Sequence, residues 1–352
     1  MDLTEATRDA ASEASLLAAA RVGDHEAFAA LVEPLRREIH LHCYRLTGSL
    51  ADADDLLQES LLKAWRRIGT FEGRAPFRAW LYRIATNTCL NEVTRRRQSR
   101  ALGTRAWSGG PPPVAAVHRL DPYPDRLLDD RVDPAQRFDE KEGVALAFIA
   151  AIQLLPPRQR AALILRDVLG WSAREVGESL ECSAVSVNSM LQRARTTLRA
   201  RLRGGSRPDA APAAVTEIGE RRLLARFMEA WERADFDALA ELLREDAILA
   251  MPPEPVWFAG RARIIEFLST VPANGRIGDI RLVPIGANRQ PAVAAFLPDE
   301  EEAGHRFYGV MVFEIDAAGI SAIIGFAEPD LADAFGLPPF LPPNQNDRYV
   351  GR

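Results

Sequence analysis

Cysteine is scarce in this chain: Cys43, Cys89 and Cys182 lie far apart and none belongs to a CxxC pair. That argues against a disulfide framework or a zinc ribbon and suits a reducing compartment. Long apolar runs are missing too, and each falls far short of the ~20 residues that span a bilayer. The first twenty residues carry Asp2, Glu5, Asp9 and Glu13 and have no basic n-region of the kind a secretory leader needs. These absences predict a cytoplasmic protein with no membrane partner. His40, His42 and Cys43 are the one hint of a metal site. Cys43 continues the Leu35, Ile39, Leu46 stripe, which leaves only His40 and His42 to face outward, too few ligands for zinc. No metal and no cofactor is expected.

What is present is the balance of an ordinary globular protein, 47% hydrophobic and 26% charged over 352 residues, long enough for two or three domains. The net charge of −5 conceals a division. Residues 207–352 hold 14 basic and 23 acidic side chains, net −9, and the preceding part is net +4. The basic half is the candidate for a polyanionic partner.

Residues 15–100 read as helices. From Asp55 to Ile68, Leu56, Leu57, Leu61, Ala64, Trp65 and Ile68 recur at steps of three and four, one buried stripe. A second helix is expected from Pro76 to Arg97. Residues 101–137 contain Gly109–Pro113 and Asp121-Pro122-Tyr123-Pro124-Asp125, which cannot continue a helix and form a linker. Helical periodicity returns over 138–203, resuming near Phe138. Residues 204–215, with Gly204–Pro208 and an Ala/Pro tract, form a second linker. Residues 216–335 change character. Helices are expected over Glu217–Glu232 and Phe236–Leu243, and strands over Pro291–Leu297, Arg306–Ile315 and Ile320–Phe326, an α+β domain followed by a Pro-rich tail over 336–352.

Ser172-Ala173-Arg174-Glu175 is a capping box, and Ala173, Val176, Gly177 and Leu180 line the apolar side of the helix it opens. After a break at Glu181-Cys182-Ser183, a second helix runs from Ala184 to about Leu202 on a Val187, Leu191, Ala194, Leu198 stripe. This is the sequence form of a helix-turn-helix. Short polar residues near the start of its second helix, Ser183, Ser186, Asn188, Ser189 and Gln192, would meet base edges, and Arg193 and Arg195 would meet phosphates. The bland alternative is a pair of amphipathic helices with a solvated basic face.

Leu154-Leu155-Pro156-Pro157-Arg158-Gln159-Arg160, then Leu165-Arg166-Asp167, then Leu191-Gln192-Arg193-Ala194-Arg195, resemble region 4 of bacterial sigma factors. Asp54–Ser60 with Lys63-Ala64-Trp65 resembles region 2.2. Phe77–Ala85 with Asn87 and Arg95-Arg96-Arg97 resembles regions 2.3 and 2.4. No region 1.1 or region 3 is evident, which is the plan of the extracytoplasmic-function group. The tail, with Ala250-Met251-Pro252-Pro253, Trp257, Gly260-Arg261 and the helix that follows, is similar to a SnoaL-like domain of the nuclear-transport-factor-two superfamily. The fold expected is multidomain, two all-α sigma domains (a region 2 bundle and a region 4 helix-turn-helix) followed by an α+β cone.

The resemblance implies a non-enzymatic initiation factor that binds core RNA polymerase at the β′ clamp and β flap, and binds promoter DNA. The polymerase-facing residues would be Asp54, Asp55, Gln58, Glu59 and Lys63. The −10 element would meet Phe71, Arg74, Arg78, Trp80, Arg83, Asn87, Arg95 and Arg96, with the Phe71–Ala75 loop holding a flipped base. Trp80, four residues before Ile84, is read either as a stacking surface or as core, and Asn87 either as a base or backbone contact or as bonded within its own helix. The extension is expected to contact the sigma part of its own chain and modulate it, in place of or beside an anti-sigma factor. Trp231, Trp257, Phe258, His305, Tyr308 and Glu328 are candidates for a pocket in it. The competing reading is a DNA-binding regulator fused to a small-molecule-binding or enzymatic domain, acting without polymerase; the region 2 motif speaks against it.

Overall fold

The computed structural model describes residues 3–100, 120–128, 143–203, 215–254, 256–299 and 301–343. The Gly109–Pro113 and Gly204–Pro208 breaks and Phe138 lie outside the described residues, as does the Arg97 side chain. The chain divides into two compact units, one of residues 1–107, 128–131 and 155–196, the other of 108–127, 132–154 and 197–352.

In the first unit, α1 (Leu3–Arg21), α2 (His25–Val32), α3 (Arg36–Thr47), α4 (Leu50–Arg67) and α5 (Phe77–Arg100) form a bundle. The starts and stops follow local chemistry. Asp24 Oδ1 accepts from the amides of Glu26 and Ala27 at 2.9 and 3.0 Å and opens α2. Gly48, at φ +77°, closes α3 by donating its amide to Tyr44 O at 2.7 Å. Leu50, Ala53, Leu56, Leu57, Ser60 and Ala64 give α4 its buried side.

His40 and His42 are buried, 7% and 0% exposed, contrary to the outward placement read from the stripe. The apolar face of α3 is wider than one stripe because α3 packs against both α4 and α5. His42 Nε2 lies 2.8 Å from Thr86 Oγ. Burial, with a smaller push from Arg45, lowers its pKa to about 3. A folded-state pKa below the ordinary value of about 6.5 means stability is intact above that value and is lost as pH falls toward 3. Urea denaturation midpoints of the wild type should therefore fall between pH 6.5 and 4, and His42→Gln should remove part of that slope. Equal slopes would contradict the assignment.

The same unit holds α7 (Pro157–Leu163), α8 (Ala173–Ser179) and α9 (Ala184–Arg203, continuing past the unit's last residue). Arg160, 5% exposed, donates through Nη1 to Leu46 O, which ties α7 to the end of α3.

The second unit contains α6 (Leu146–Gln153), α10 (Glu217–Glu232), α11 (Phe236–Leu242), α12 (Arg261–Thr270) and α13 (Leu331–Phe335) around a seven-stranded sheet. Its strands are β1 (Leu243–Ala250), β2 (Trp257–Ala259), β3 (Arg281–Ala287), β4 (Gln290–Pro298), β5 (His305–Asp316), β6 (Gly319–Phe326) and β7 (Phe340–Leu341). The order is β2-β1-β6-β5-β4-β3, with β7 beside β5 and only β1–β6 parallel. Phe227, Trp231, Leu239, Ile264 and Phe313 form the core between helices and sheet. Residues 336–343, read as tail, instead close α13 at left-handed Gly336 and add β7 to the sheet.

Candidate nucleic-acid interface

The helix-turn-helix is built as its sequence specifies. Glu175 N donates to Ser172 Oγ at 3.2 Å and Ser172 N donates to Glu175 Oε2 at 2.7 Å, a complete capping box on α8. Val176 and Leu180 are buried, and so are Val187, Leu191, Ala194 and Leu198 along the apolar stripe of α9. Ser183 Oγ accepts from Ser186 N at 3.2 Å and starts α9, so this residue is occupied as a cap. Ser186, Asn188, Gln192 and Arg193 are exposed and Ser189 is half-buried. Arg195 is held in a fork by Asp167, 3.0 Å from Nε and 2.7 Å from Nη2. Val185, 75% exposed at the second position of α9, was not singled out in the sequence; its signal was an apolar side chain off the stripe.

The −10 candidates are more occupied. Phe71 is 6% exposed, clustered with Phe77 and Trp80 at ring distances of 6.0 and 5.2 Å, so it is core and does not offer a stacking face. Trp80 and Asn87 are half-buried. Arg74 pairs with Glu72 at 2.5 Å, Arg78 with Glu38 at 2.7 Å, and Arg95 with Glu92 at 2.7 Å. These three arginines are well exposed, and solvent screens such pairs, so a phosphate can replace the carboxylate. Arg96 differs: it reaches the buried Asp52 as well as Glu92, and it holds α5 to α4. Arg83 pairs with Glu181 at 3.4 Å, which joins α5 to the turn before α9.

On α4, Asp55, Gln58 and Glu59 are exposed on one side of the helix. Asp54 lies 3.2 Å from His40 Nε2, and Lys63 pairs with Glu59 at 2.6 Å and donates to Thr88 Oγ at 3.3 Å. Leu62 stands on the same side, 56% exposed, at i+3 from Glu59 and i+4 from Gln58. Sequence reading missed it; it too is an apolar residue off the buried stripe.

In the second unit, the segment 120–127 is docked on the sheet. Asn288 is wholly buried. Its Oδ1 accepts from Tyr123 N at 2.8 Å, its Nδ2 donates to Val144 O at 2.7 Å, and its own amide donates to Tyr123 O at 2.8 Å. Pro124 bridges Ala287, so the segment adds to the open edge of β3. Tyr123 is fully buried. Arg289 N donates to Asp125 Oδ1 at 2.7 Å, and a Cβ on Gly286 would meet Asp125 Oδ2 at 2.5 Å, so glycine is needed for this approach. Leu146 N donates to Gln290 Oε1 at 2.8 Å.

Of the pocket candidates, Trp231 and Tyr308 line a cavity of about 240 Å³ between helices and sheet. Trp257, Phe258, His305 and Glu328 are not among its lining residues. His305 lies with Nε2 3.2 Å from Asp279 O. Among the described residues no helix is long and apolar enough to cross a membrane.

Comparison with known proteins agrees with this geometry. The family models for Sigma-70 region 2, Sigma-70 region 4 and a SnoaL-like domain match residues 31–99, 145–198 and 224–322. The chain is 42% identical over 323 residues to the ECF RNA polymerase sigma factor SigG of Mycobacterium tuberculosis, covering 89% of this chain and 85% of that one. It is 30% identical over 185 residues to the ECF RNA polymerase sigma factor SigW of Bacillus subtilis, 51% of this chain and 91% of that one. The crystal structure of the M. tuberculosis extracytoplasmic function sigma factor SigJ superposes with a TM-score of 0.60 at 22% identity, over 88% of this chain and all of that one, and shares the fold.

Proposed function

This chain belongs to the extracytoplasmic-function RNA polymerase sigma factors, and from that premise we propose that it binds core polymerase through α4, reads promoter DNA through α5 and α9, and is restrained by its own C-terminal domain. It acts as an initiation factor in the cytoplasm and performs no catalysis of its own. The observation that carries the reading is the pairing of a capped helix-turn-helix, polar at the exposed start of α9, with a separate acidic helix whose core is already satisfied.

Docking of α4 rests on Asp55, Gln58 and Glu59, with Leu62 as an apolar anchor inside that acidic face. Anchors of this kind dominate interfaces when the partner desolvates them. Leu62→Glu should reduce co-purification with core polymerase at least ~10-fold, the scale of a lost hot spot, while the variant melts like the wild type. Unchanged co-purification would remove Leu62 from the interface.

Recognition of the −35 element rests on Ser186, Asn188, Ser189 and Gln192, with Val185 positioned for a thymine methyl and Arg193 for a phosphate. Arg193→Ala should weaken all promoters alike and lower the salt slope by about one. Asn188→Ala, Gln192→Ala and Val185→Ala should instead change which −35 sequence is preferred, by about 1–3 kcal/mol per position. An unchanged preference in selection from a randomised −35 library would reject these assignments.

The restraint follows from two features. Inside the first unit, Arg83 on α5 and Glu181 beside α9 are 3.4 Å apart. The −35 and −10 elements are separated by about 25 base pairs, roughly 85 Å at 3.4 Å per base pair. Regions 2 and 4 must therefore part before both elements are read. The chain that must lengthen between them, residues 101–154, is pinned at Tyr123, Val144 and Leu146 by the C-terminal domain. Pinning removes conformations that the open form needs. The domain thus favours the closed, promoter-incompetent state, and release of the segment favours transcription.

A further inference from the structure

We propose that Asp167 limits the sequence-independent part of DNA binding by keeping Arg195, a cation on the DNA side of α9, away from phosphates; the inference rests on α9 being the helix that meets DNA. Asn188, Gln192 and Arg195 stand at i, i+4 and i+7, so they lie along one line of the helix. All three are exposed, and the Arg195 side chain is 49% open to solvent. A free guanidinium in this place would bind phosphate as Arg193 does. Arg195 is not free. Asp167 Oδ2 accepts from its Nε at 3.0 Å and Oδ1 accepts from its Nη2 at 2.7 Å. Each oxygen takes its own N–H, the fork that matches a guanidinium to a carboxylate.

The carboxylate comes from another element, the π-helical turn Ile164–Val168 that follows α7. Turns of this kind are rare and occur mostly where function requires a departure from α-helical bonding. This one is braced. Ile164 and Leu165 are fully buried. Leu169 N donates to Ile164 O and Trp171 N to Leu165 O, each at 3.0 Å, and Arg166 Nη1 donates to Trp171 O at 2.8 Å. Asp167 therefore needs little further ordering when the fork closes. Arg74, Arg78 and Arg95 are held less completely. Arg74 has one bond to Glu72. Arg78 sends two N–H groups to a single oxygen of Glu38 that Tyr82 also uses. Glu92 Oε1 is shared between Arg95 and Arg96. Among the described residues, the Asp167 carboxylate serves Arg195 alone.

The consequence is electrostatic. An unpaired arginine on this line would release a counterion from any duplex, whatever its sequence. Such contacts add affinity for every competing site of a genome and carry no information about the promoter. Paired with Asp167, the guanidinium brings no net charge to the backbone. A phosphate that drew it away would leave a bare carboxylate beside the DNA. The neutral Asn188 and Gln192 are left to read bases on the same line.

The full-length chain is combined with core polymerase, and its binding is measured from about 50 to 200 mM salt, the range over which phosphate contacts are lost. Two duplexes that end upstream of the −10 element are used, one with the −35 sequence selected from a randomised library and one with that sequence scrambled. Asp167→Asn removes the charge and keeps the shape. It should bind both duplexes roughly tenfold more tightly at the lowest salt and steepen the salt slope by about 0.9, the value of one phosphate contact. The ratio between the duplexes should not change. Adding Arg195→Gln should return affinity and slope to those of the wild type, which would not happen if Asp167 only braced the fold. Should Asp167→Asn fail to fold, Arg195→Gln alone decides: it should keep the wild-type slope, where a phosphate-contacting arginine would lose about 0.9. A wild-type slope or weaker binding in Asp167→Asn, a changed ratio, or no reversal by Arg195→Gln would each overturn this inference alone. A wild type with no preference between the duplexes would overturn the function proposed above, and this inference with it.

Discussion

Gly177→Val is expected to abolish −35-dependent transcription while leaving polymerase binding intact. Gly177 lies on α8 where the chain turns back toward α9, and a Cβ there would stand 2.6 Å from Cys182 O and 3.6 Å from Ala184 N. The distance to Ala184 N is ordinary contact, but the obstacle at Cys182 O is backbone, so no side chain can swing aside. The turn is also closed by Cys182 N donating to Gly177 O at 2.9 Å. Valine must displace the start of α9, which carries Ser186, Asn188 and Ser189. The cost is about 2–3 kcal/mol, the overpacking range, and most of it falls on the helix-turn-helix. Gly170 is the control. It has φ +72° but nothing within 4 Å of an added Cβ, so Gly170→Ala should cost only the ~1 kcal/mol of left-handed backbone strain and keep activity. Co-purification with core polymerase and run-off transcription, done side by side, separate the outcomes. A Gly177→Val chain as active as Gly170→Ala would show that α9 does not carry recognition.

Asn288→Gly is expected to free the linker and raise transcription severalfold. The residue sits with Arg289 in the two-residue turn between β3 and β4, at φ +58° and +56°. Glycine accepts that conformation, so the hairpin survives and only the amide is lost. The Tyr123 N–H and the Val144 carbonyl then lose the partners they have inside the domain. Each unsatisfied buried group costs about 1–3 kcal/mol, enough together to undo a short docked segment. Amide exchange at Tyr123 should accelerate ~100-fold or more, corresponding to about 3 kcal/mol. Transcription by the variant should exceed that of the wild type. Fast exchange with no gain in transcription would mean that the domain holds the linker without restraining the factor.

Much of this architecture is legible in the sequence because local chemistry and tertiary packing agree there. The Ser172–Glu175 capping box, the stripe of α9 and the alternation of β4, β5 and β6 each announce an element whose partner lies close by. β1 is hidden because Arg244, Glu245 and Asp246 break its alternation. The strand exists because it pairs with β6, and Arg244 is held by Asp246 and Asp316. β3 is hidden by Pro284 and Gly286, which suit an edge strand that Asp125 must approach. Phe71 read as a base-stacking residue and is core, since exposure of an aromatic depends on neighbours brought from Phe77 and Trp80. The two prolines beside Tyr123 make its segment legible as non-helical. Its receptor, Asn288, was not legible, because an asparagine in a turn carries no sign that its amide faces inward.

The central claim, that the chain is a sigma factor, is tested most directly by run-off transcription with purified core polymerase on a genomic promoter library. The full chain, and more strongly a chain ending at Ser206, should each direct transcripts from promoters sharing one −35 and one −10 sequence. No promoter-specific transcript from either form would contradict the account.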